Sequence, residues 1–172
     1  MRLFFAIEVP ETWKRSLEVA SQGLARQSRR GSFPPRENFH LTLAFLGEVD
    51  RLDGVRAALE ALDRPGFRLE TGGFGRFPGR AGDVWWLGLA PCPELESLRE
   101  ELVRGLEDRG VWYDPQPFRP HLTLGRRVVT DLEPAGLAAP RLEMEVGAVA
   151  LMESVQGTGG VCYRAVERKR LG

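Results

Sequence analysis

The sequence predicts an α+β fold, built as two related α/β units within a single domain spanning residues 1–172. Three observations carry this. The tetrapeptide His-Leu-Thr-Leu occurs twice, starting at His40 and at His121, and these are the only 2 histidines in the chain. Each copy follows a strand, a helix and a loop rich in proline and arginine, so one unit reads as used twice. Segments of strand period alternate with segments of helix period, and no linker divides them. With 172 residues, 42% of them hydrophobic, the chain has enough material for one filled core.

Arg2 to Val9 is a short apolar run of β-favouring types ended by Pro10, which predicts an inner strand. From Glu11 to about Arg29, Trp13, Leu17, Val19, Ala20, Leu24 and Ala25 recur near helical spacing after a Pro-Glu start, which predicts a helix. Arg29 to Asn38 reads as a loop by its glycine and prolines. In the strand that follows, alternation puts Phe39, Leu41, Leu43 and Phe45 on one face and His40, Thr42 and Ala44 on the other. Leu52 to Leu62 predicts a second helix, and Phe67 to Phe74 and Val84 to Leu89 predict two strands. A third helix runs from about Glu94 to Asp108 with Gly110 as its stop. After the loop of Pro115, Pro117 and Pro120, the strand His121 to Arg127 repeats the earlier pattern, Leu122 and Leu124 opposing His121 and Thr123. Leu142 to Met152 and Val161 to Val166 complete the strands, with Gly157 to Gly160 as the turn between them.

The charges balance at 24 basic and 24 acidic residues, so no overall field holds a long duplex, and contact with nucleic acid has to be local. Cys92 and Cys162 are far apart, and no secretory or membrane-spanning apolar run is present, so a reducing cytoplasm and no membrane partner are expected. The glycine runs at Gly72 to Gly75 and Gly157 to Gly160 lack the Lys-Ser/Thr of a phosphate-binding loop and read as turns. Neither motif holds an Asp, Glu, Cys or further His, and two imidazoles fall short of the three protein ligands of a catalytic zinc, so no metal and no cofactor are expected.

Either histidine alone would read as a satisfied polar group at a core edge; identical contexts for both, with no third, turn the reading to chemistry. Within each strand histidine and threonine lie two residues apart on one face, roughly 6.6 Å along the chain, so one anion touches both. Two such strands side by side would offer a phosphate two imidazoles and two hydroxyls. Opening a cyclic phosphodiester needs a base for water and an acid for the departing ribose oxygen, and histidine, with an ordinary pKa of about 6.5, serves as either. The residue types leave open which ring is which. Thr42 and Thr123 would hold the non-bridging oxygens, and Arg126, just beyond the second motif, would offset their charge, with Arg119 and Arg127 after it. Trp85, Trp86, Phe5 and Phe45 read as core rather than as base-stacking rings.

The paired His-x-Thr-x motifs resemble those of the two-histidine (2H) phosphoesterase superfamily. The frame around them resembles its bacterial and archaeal RNA 2′,3′-cyclic phosphodiesterase family in the strand and helix start from Arg2 to Glu11, in Asn38 to Gly47, in Phe118 to Leu124, and in Met152 to Ser154. Gly125 stands where that family often has alanine. The resemblance implies a bilobal fold with two antiparallel sheets flanking a central cleft and helices on the outer faces. It implies metal-independent opening of the ring to a 2′-phosphate, His40 protonating the leaving 3′ oxygen and His121 activating water, with Thr42 and Thr123 on phosphate. The implied partners are RNA ends, tRNA fragments among them, acted on by a monomer. Two alternatives stay open: the same chemistry on small cyclic nucleotides or ADP-ribose cyclic phosphate, and an RNA-end binding or 2′-5′ joining module.

Overall fold

Apolar side chains on both faces of the first strand require cover on both sides. In the computed structural model, which describes residues 1–172, β1 (Arg2–Glu8) is a central strand, hydrogen-bonded between β3 (His40–Glu48) and β8 (Ala148–Gly157), with an apolar cluster on each of its faces. The other strands are β2 (Ser28–Ser32), β4 (Phe67–Phe77), β5 (Asp83–Leu89), β6 (His121–Thr130), β7 (Glu143–Val146) and β9 (Gly160–Arg170). The helices are α1 (Glu11–Arg26), α2 (Asp53–Glu60) and α3 (Pro93–Glu107). All strand pairings are antiparallel, in the order β7-β4-β5-β6-β3-β1-β8-β9, and β2 adds to β6. The two expected sheets are thus parts of one continuous sheet, because β3 and β6 join through the pair Leu41↔Leu122. The helices are interspersed with strands along the chain but pack on one face of an antiparallel sheet, which makes the fold α+β.

The main core lies between the sheet and the helices. Leu3, Phe5 and Ile7 of β1, Leu41 and Leu43 of β3, and Leu122 and Leu124 of β6 meet Trp13, Leu17 and Leu24 of α1 and Leu95, Leu98 and Leu102 of α3 there. Each such side chain contributes ~1.5–3 kcal/mol when fully buried, so the apolar half of each motif anchors its strand. On the other face of β1, Phe4 and Ala6 join Ala150 and Met152 in a small second cluster, with Phe45 and Tyr163 packed against it. That second face carries the imidazoles.

Three elements differ from the sequence expectation. α1 stops at Arg26, where the Gln27 N–H turns back to the Leu24 carbonyl at 3.1 Å and Ser28 Oγ donates to the same oxygen at 2.6 Å. Part of the expected loop is β2, a largely exposed strand without alternation that is held to β6 by backbone pairing; periodicity cannot reveal such a strand. Leu142 to Met152 breaks at Gly147 into β7, which pairs with β4, and β8, which pairs with β1 and β9. A continuous apolar run carries no sign that its halves belong to distant strands.

Candidate active site

Both motif strands interrupt their alternation at the same place. Ala6 pairs with Thr42 and Phe5 with Ala44, so Leu43 is an extra residue in β3; Trp86 pairs with Thr123 and Trp85 with Gly125, so Leu124 is an extra residue in β6. Such a bulge moves the side chains that follow it to the opposite face, until the next register shift. It also leaves a backbone carbonyl out of the ladder, and each finds a partner on a helix. The Leu43 oxygen accepts from Arg99 Nε at 3.3 Å, and the Leu124 oxygen accepts from the buried Ser21 hydroxyl at 2.8 Å. The bulges correct the expected faces: Phe45 leaves the core side and lines the cleft beside Thr42, and Arg126, rather than Arg127, lines it beside Thr123. Arg127 takes a left-handed backbone, φ 51°, and is exposed.

Each imidazole is oriented by the carbonyl two residues before it. His40 Nδ1 lies 2.7 Å from the Asn38 oxygen and His121 Nδ1 lies 2.6 Å from the Arg119 oxygen. A carbonyl only accepts, so Nδ1 carries the proton in both rings and Nε2 is the reactive nitrogen. The rings differ at that atom. His40 Nε2 is 2.9 Å from Thr42 Oγ1, whereas His121 Nε2 has no hydrogen-bond partner in the protein. Aromatic rings brace both: His40 meets the edge of Tyr163 at 4.9 Å and lies 4.9 Å from Phe4, and His121 meets Phe77 edge-on at 5.0 Å with Trp86 at 6.3 Å. Trp86 reaches this position over Gly75, where a Cβ would lie 2.1 Å from the indole.

His40, Thr42, His121, Thr123 and Arg126, the five residues singled out by the sequence, line one cavity of ≈ 470 Å³. Asn38, Phe45, Phe77, Asp114 and Tyr163 complete much of its wall. Tyr163 and Phe77 had no local signal, since they reach the cleft only through the pairings of β9 and β4. Arg119 lies outside this cavity on an adjoining groove of ≈ 530 Å³ that shares Thr42, Phe45 and His121 with it. Trp85 and Phe5 are core residues, as expected, whereas Trp86 is not. A further apolar cavity of ≈ 550 Å³ lies under α1 on the helix side of the sheet, lined by Trp85 and Leu124 and without a histidine.

Burial, the largest influence, holds the His40 pKa down at about 4; the Asn38 carbonyl opposes this, and the charges of Arg126 and His121 add to it. His121 is lowered from 6.5 for the same first reason, opposed by the Arg119 carbonyl and assisted by Arg126. Both rings are therefore neutral in the empty cleft at pH 7. An anion between them would favour the imidazolium and reverse part of that shift. No group of three or more His, Cys, Asp or Glu side chains is arranged to hold a metal ion.

The cleft, with two fixed imidazoles, two hydroxyls and an arginine, lies on one curled antiparallel sheet of an α+β protein. Residues 10–158 match the family model of the 2′-5′ RNA ligase superfamily, and the chain belongs to this superfamily of two-histidine phosphoesterases. A relative from Thermus thermophilus named RNA 2′,3′-cyclic phosphodiesterase is 33% identical over 98% of this chain and 89% of its own length. A Thermotoga maritima protein of the same name is 36% identical over 73% of this chain and 70% of its own. The crystal structure of Escherichia coli LigT complexed with 3′-AMP superposes with a TM-score of 0.81 at 28% identity, covering 99% of this chain and 97% of LigT.

Proposed function

We propose that the protein hydrolyses RNA 2′,3′-cyclic phosphate ends to 2′-phosphates, without a metal, using His40 as general acid and His121 as general base. The observation that carries this reading is the single cavity shared by two imidazoles whose Nδ1 atoms are both committed to backbone carbonyls. Relatives named RNA 2′,3′-cyclic phosphodiesterase support the substrate class.

In this mechanism His121 Nε2 takes a proton from water as the water oxygen bonds to phosphorus. The bond from phosphorus to the 3′ oxygen breaks, and protonated His40 gives that oxygen its Nε2 proton. The free Nε2 of His121 suits a base waiting for water, and the contact of His40 with Thr42 suits a ring that holds a proton until the leaving group needs it. Thr42 and Thr123 hold the non-bridging oxygens, and Arg126 offsets the charge that grows on them. The repeated tetrapeptide, bulge and carbonyl lock support descent of the two halves from one duplicated unit, forming a single domain of two pseudo-symmetric lobes that acts as a monomer. The substrates would be RNA termini, tRNA fragments among them, in a reducing cytoplasm where Cys92 and Cys162 stay free thiols.

The test is conversion of an RNA oligomer ending in a 2′,3′-cyclic phosphate to the 2′-phosphate in EDTA. Undiminished turnover by His40→Ala or His121→Ala would reject the mechanism. The superfamily description favours one second reading, 2′-5′ joining of RNA ends by the same steps with a 5′-hydroxyl in place of water, its oxygen bonding to phosphorus as the bond to the 3′ oxygen breaks. Supplying a 5′-hydroxyl oligomer in excess and measuring joined product against hydrolysed end separates the two.

A further inference from the structure

We propose that the groove beside the cleft is a second phosphate site, with Arg99 as its anion-binding group, and that it takes the phosphodiester on the 5′ side of the terminal nucleotide. This rests on the phosphodiesterase reading and names RNA ends, rather than mononucleotides, as the substrate class.

Arg99 stands on α3, and its Nε is committed to the bulge carbonyl of Leu43 at 3.3 Å. Its guanidinium carbon lies 5.5 Å from the Tyr113 ring centroid and 5.4 Å from that of Phe118. Two rings and one hydrogen bond restrict a planar group that would otherwise sweep a wide arc. Its two terminal nitrogens are left without a protein acceptor. No carboxylate lies within 4.0 Å of Arg99, whereas nine other arginines of the chain are paired in that way. Arg119 on the same groove and Arg126 in the cleft are likewise without ion pairs. The one carboxylate bordering both spaces, Asp114, accepts the Gln116 N–H with Oδ1 at 3.1 Å.

A half-buried, half-committed and unpaired arginine offers a fork of N–H donors, and a phosphodiester accepts such a fork with two oxygens. The groove and the cleft share Thr42, Phe45, Phe77, Asp114, Gln116 and His121, so a strand whose terminal ring sits between the imidazoles can continue past His121 without leaving the surface. Phe118 and Pro117 add apolar wall of the kind on which unstacked bases and sugars of single strands rest. A mononucleoside cyclic phosphate would fill the cleft and leave Arg99 unsatisfied.

The experiment compares three substrates: a dinucleotide ending in a 2′,3′-cyclic phosphate, the same dinucleotide with a neutral methylphosphonate as its internal link, and a mononucleoside 2′,3′-cyclic phosphate. The wild-type protein should turn over the first with kcat/KM about 10- to 100-fold above the second and third, the span expected of charge-assisted hydrogen bonds. In Arg99→Gln the ratio of the first to the second should collapse towards one, and Arg99→Lys should restore part of it. The salt dependence of log kcat/KM for the dinucleotide should also lose about 0.7 of slope in Arg99→Gln, one single-strand phosphate contact. If Arg99 only supports the Leu43 bulge, Arg99→Gln lowers all three substrates alike and preserves the ratio, which overturns the proposal. Equal turnover of the first two substrates by the wild type overturns it as well. An ADP-ribose cyclic phosphate favoured over the dinucleotide would reassign the site to a pyrophosphate and reject the RNA assignment. Absence of turnover on every substrate rejects the activity itself, a result distinct from turnover without discrimination.

Discussion

β3 and β6 begin with the same four residues, carry the same bulge after the threonine and lock their imidazoles to the same backbone position, yet they deliver different chemistry to the cleft. Beyond the bulge β3 presents Phe45 and β6 presents Arg126. The His40 ring is hydrogen-bonded at both nitrogens and its pKa is held at about 4, while His121 keeps one nitrogen open. The same backbone thus recurs in both strands, and the surroundings make the two sides unequal. The repeat accounts for a paired site. Its differences make the two sides chemically distinct.

The largest effect that would break or sharpen this comparison is removal of either ring. His40→Ala and His121→Ala should each lower kcat/KM by about 10²–10⁴, and the double variant should fall well short of the product of the two losses, because the rings act on one event. The sides separate by pH: the acid must be protonated and the base neutral, so His40→Ala should lose the alkaline limb of the profile and His121→Ala the acidic one. Limbs lost in the opposite pairing would exchange the roles.

Arg126→Gln should come next, with a fall of about 10²-fold in kcat on loss of the charge facing the phosphate. Because Arg126 lowers the pKa of both histidines, its removal favours both imidazolium forms and should move the optimum to higher pH. Phe45→Ala, the counterpart on β3, should lower kcat far less and leave the optimum in place, as measured in parallel profiles.

A smaller and more diagnostic effect is the gap between free and occupied enzyme. The kcat/KM profile reports the empty cleft and the kcat profile the occupied one, so the anionic substrate should place the kcat optimum above the kcat/KM optimum. The same depressed pKa acts on stability. A histidine neutral in the folded state and ordinary when unfolded contributes stability above about pH 6.5 that is lost as pH falls towards 4, so the denaturant midpoint should drop across that window and drop less in His40→Ala.

The smallest effect concerns the residue after each extra leucine, Ala44 on β3 and Gly125 on β6. A Cβ at Gly125 would lie 2.8 Å from the Phe33 ring, so Gly125→Ala should cost about 1–3 kcal/mol and lower Tm, and Phe33→Leu should recover part of the loss. Ala44 already carries its Cβ and is buried. An unchanged Tm in Gly125→Ala would mean that the two bulges tolerate the same residue.

His40, Thr42, His121 and Thr123 were legible because period-two alternation holds without interruption over the first three residues of each motif. Arg126 came from its place beside the motif, since alternation alone points to Arg127, and Phe45 was assigned to the wrong face for the same reason. Neither bulge has a residue signature; each appears only in the register against β1 or β5. Tyr163, Phe77 and Trp86 enter through strands far away in the chain, and β2 is held by backbone bonds that leave no periodic trace.

By itself the sequence determined that two strands would each bury leucines on one side and show a histidine and a threonine on the other, because side-chain direction in a strand follows from the backbone alone. Only the tertiary structure decided that the strands join at Leu41 and Leu122, that both slip by one residue just beyond the threonine, and that Arg99 and Ser21 cap the carbonyls so released. Those outcomes depend on pairing and burial between residues distant in the chain, and no local window contains them.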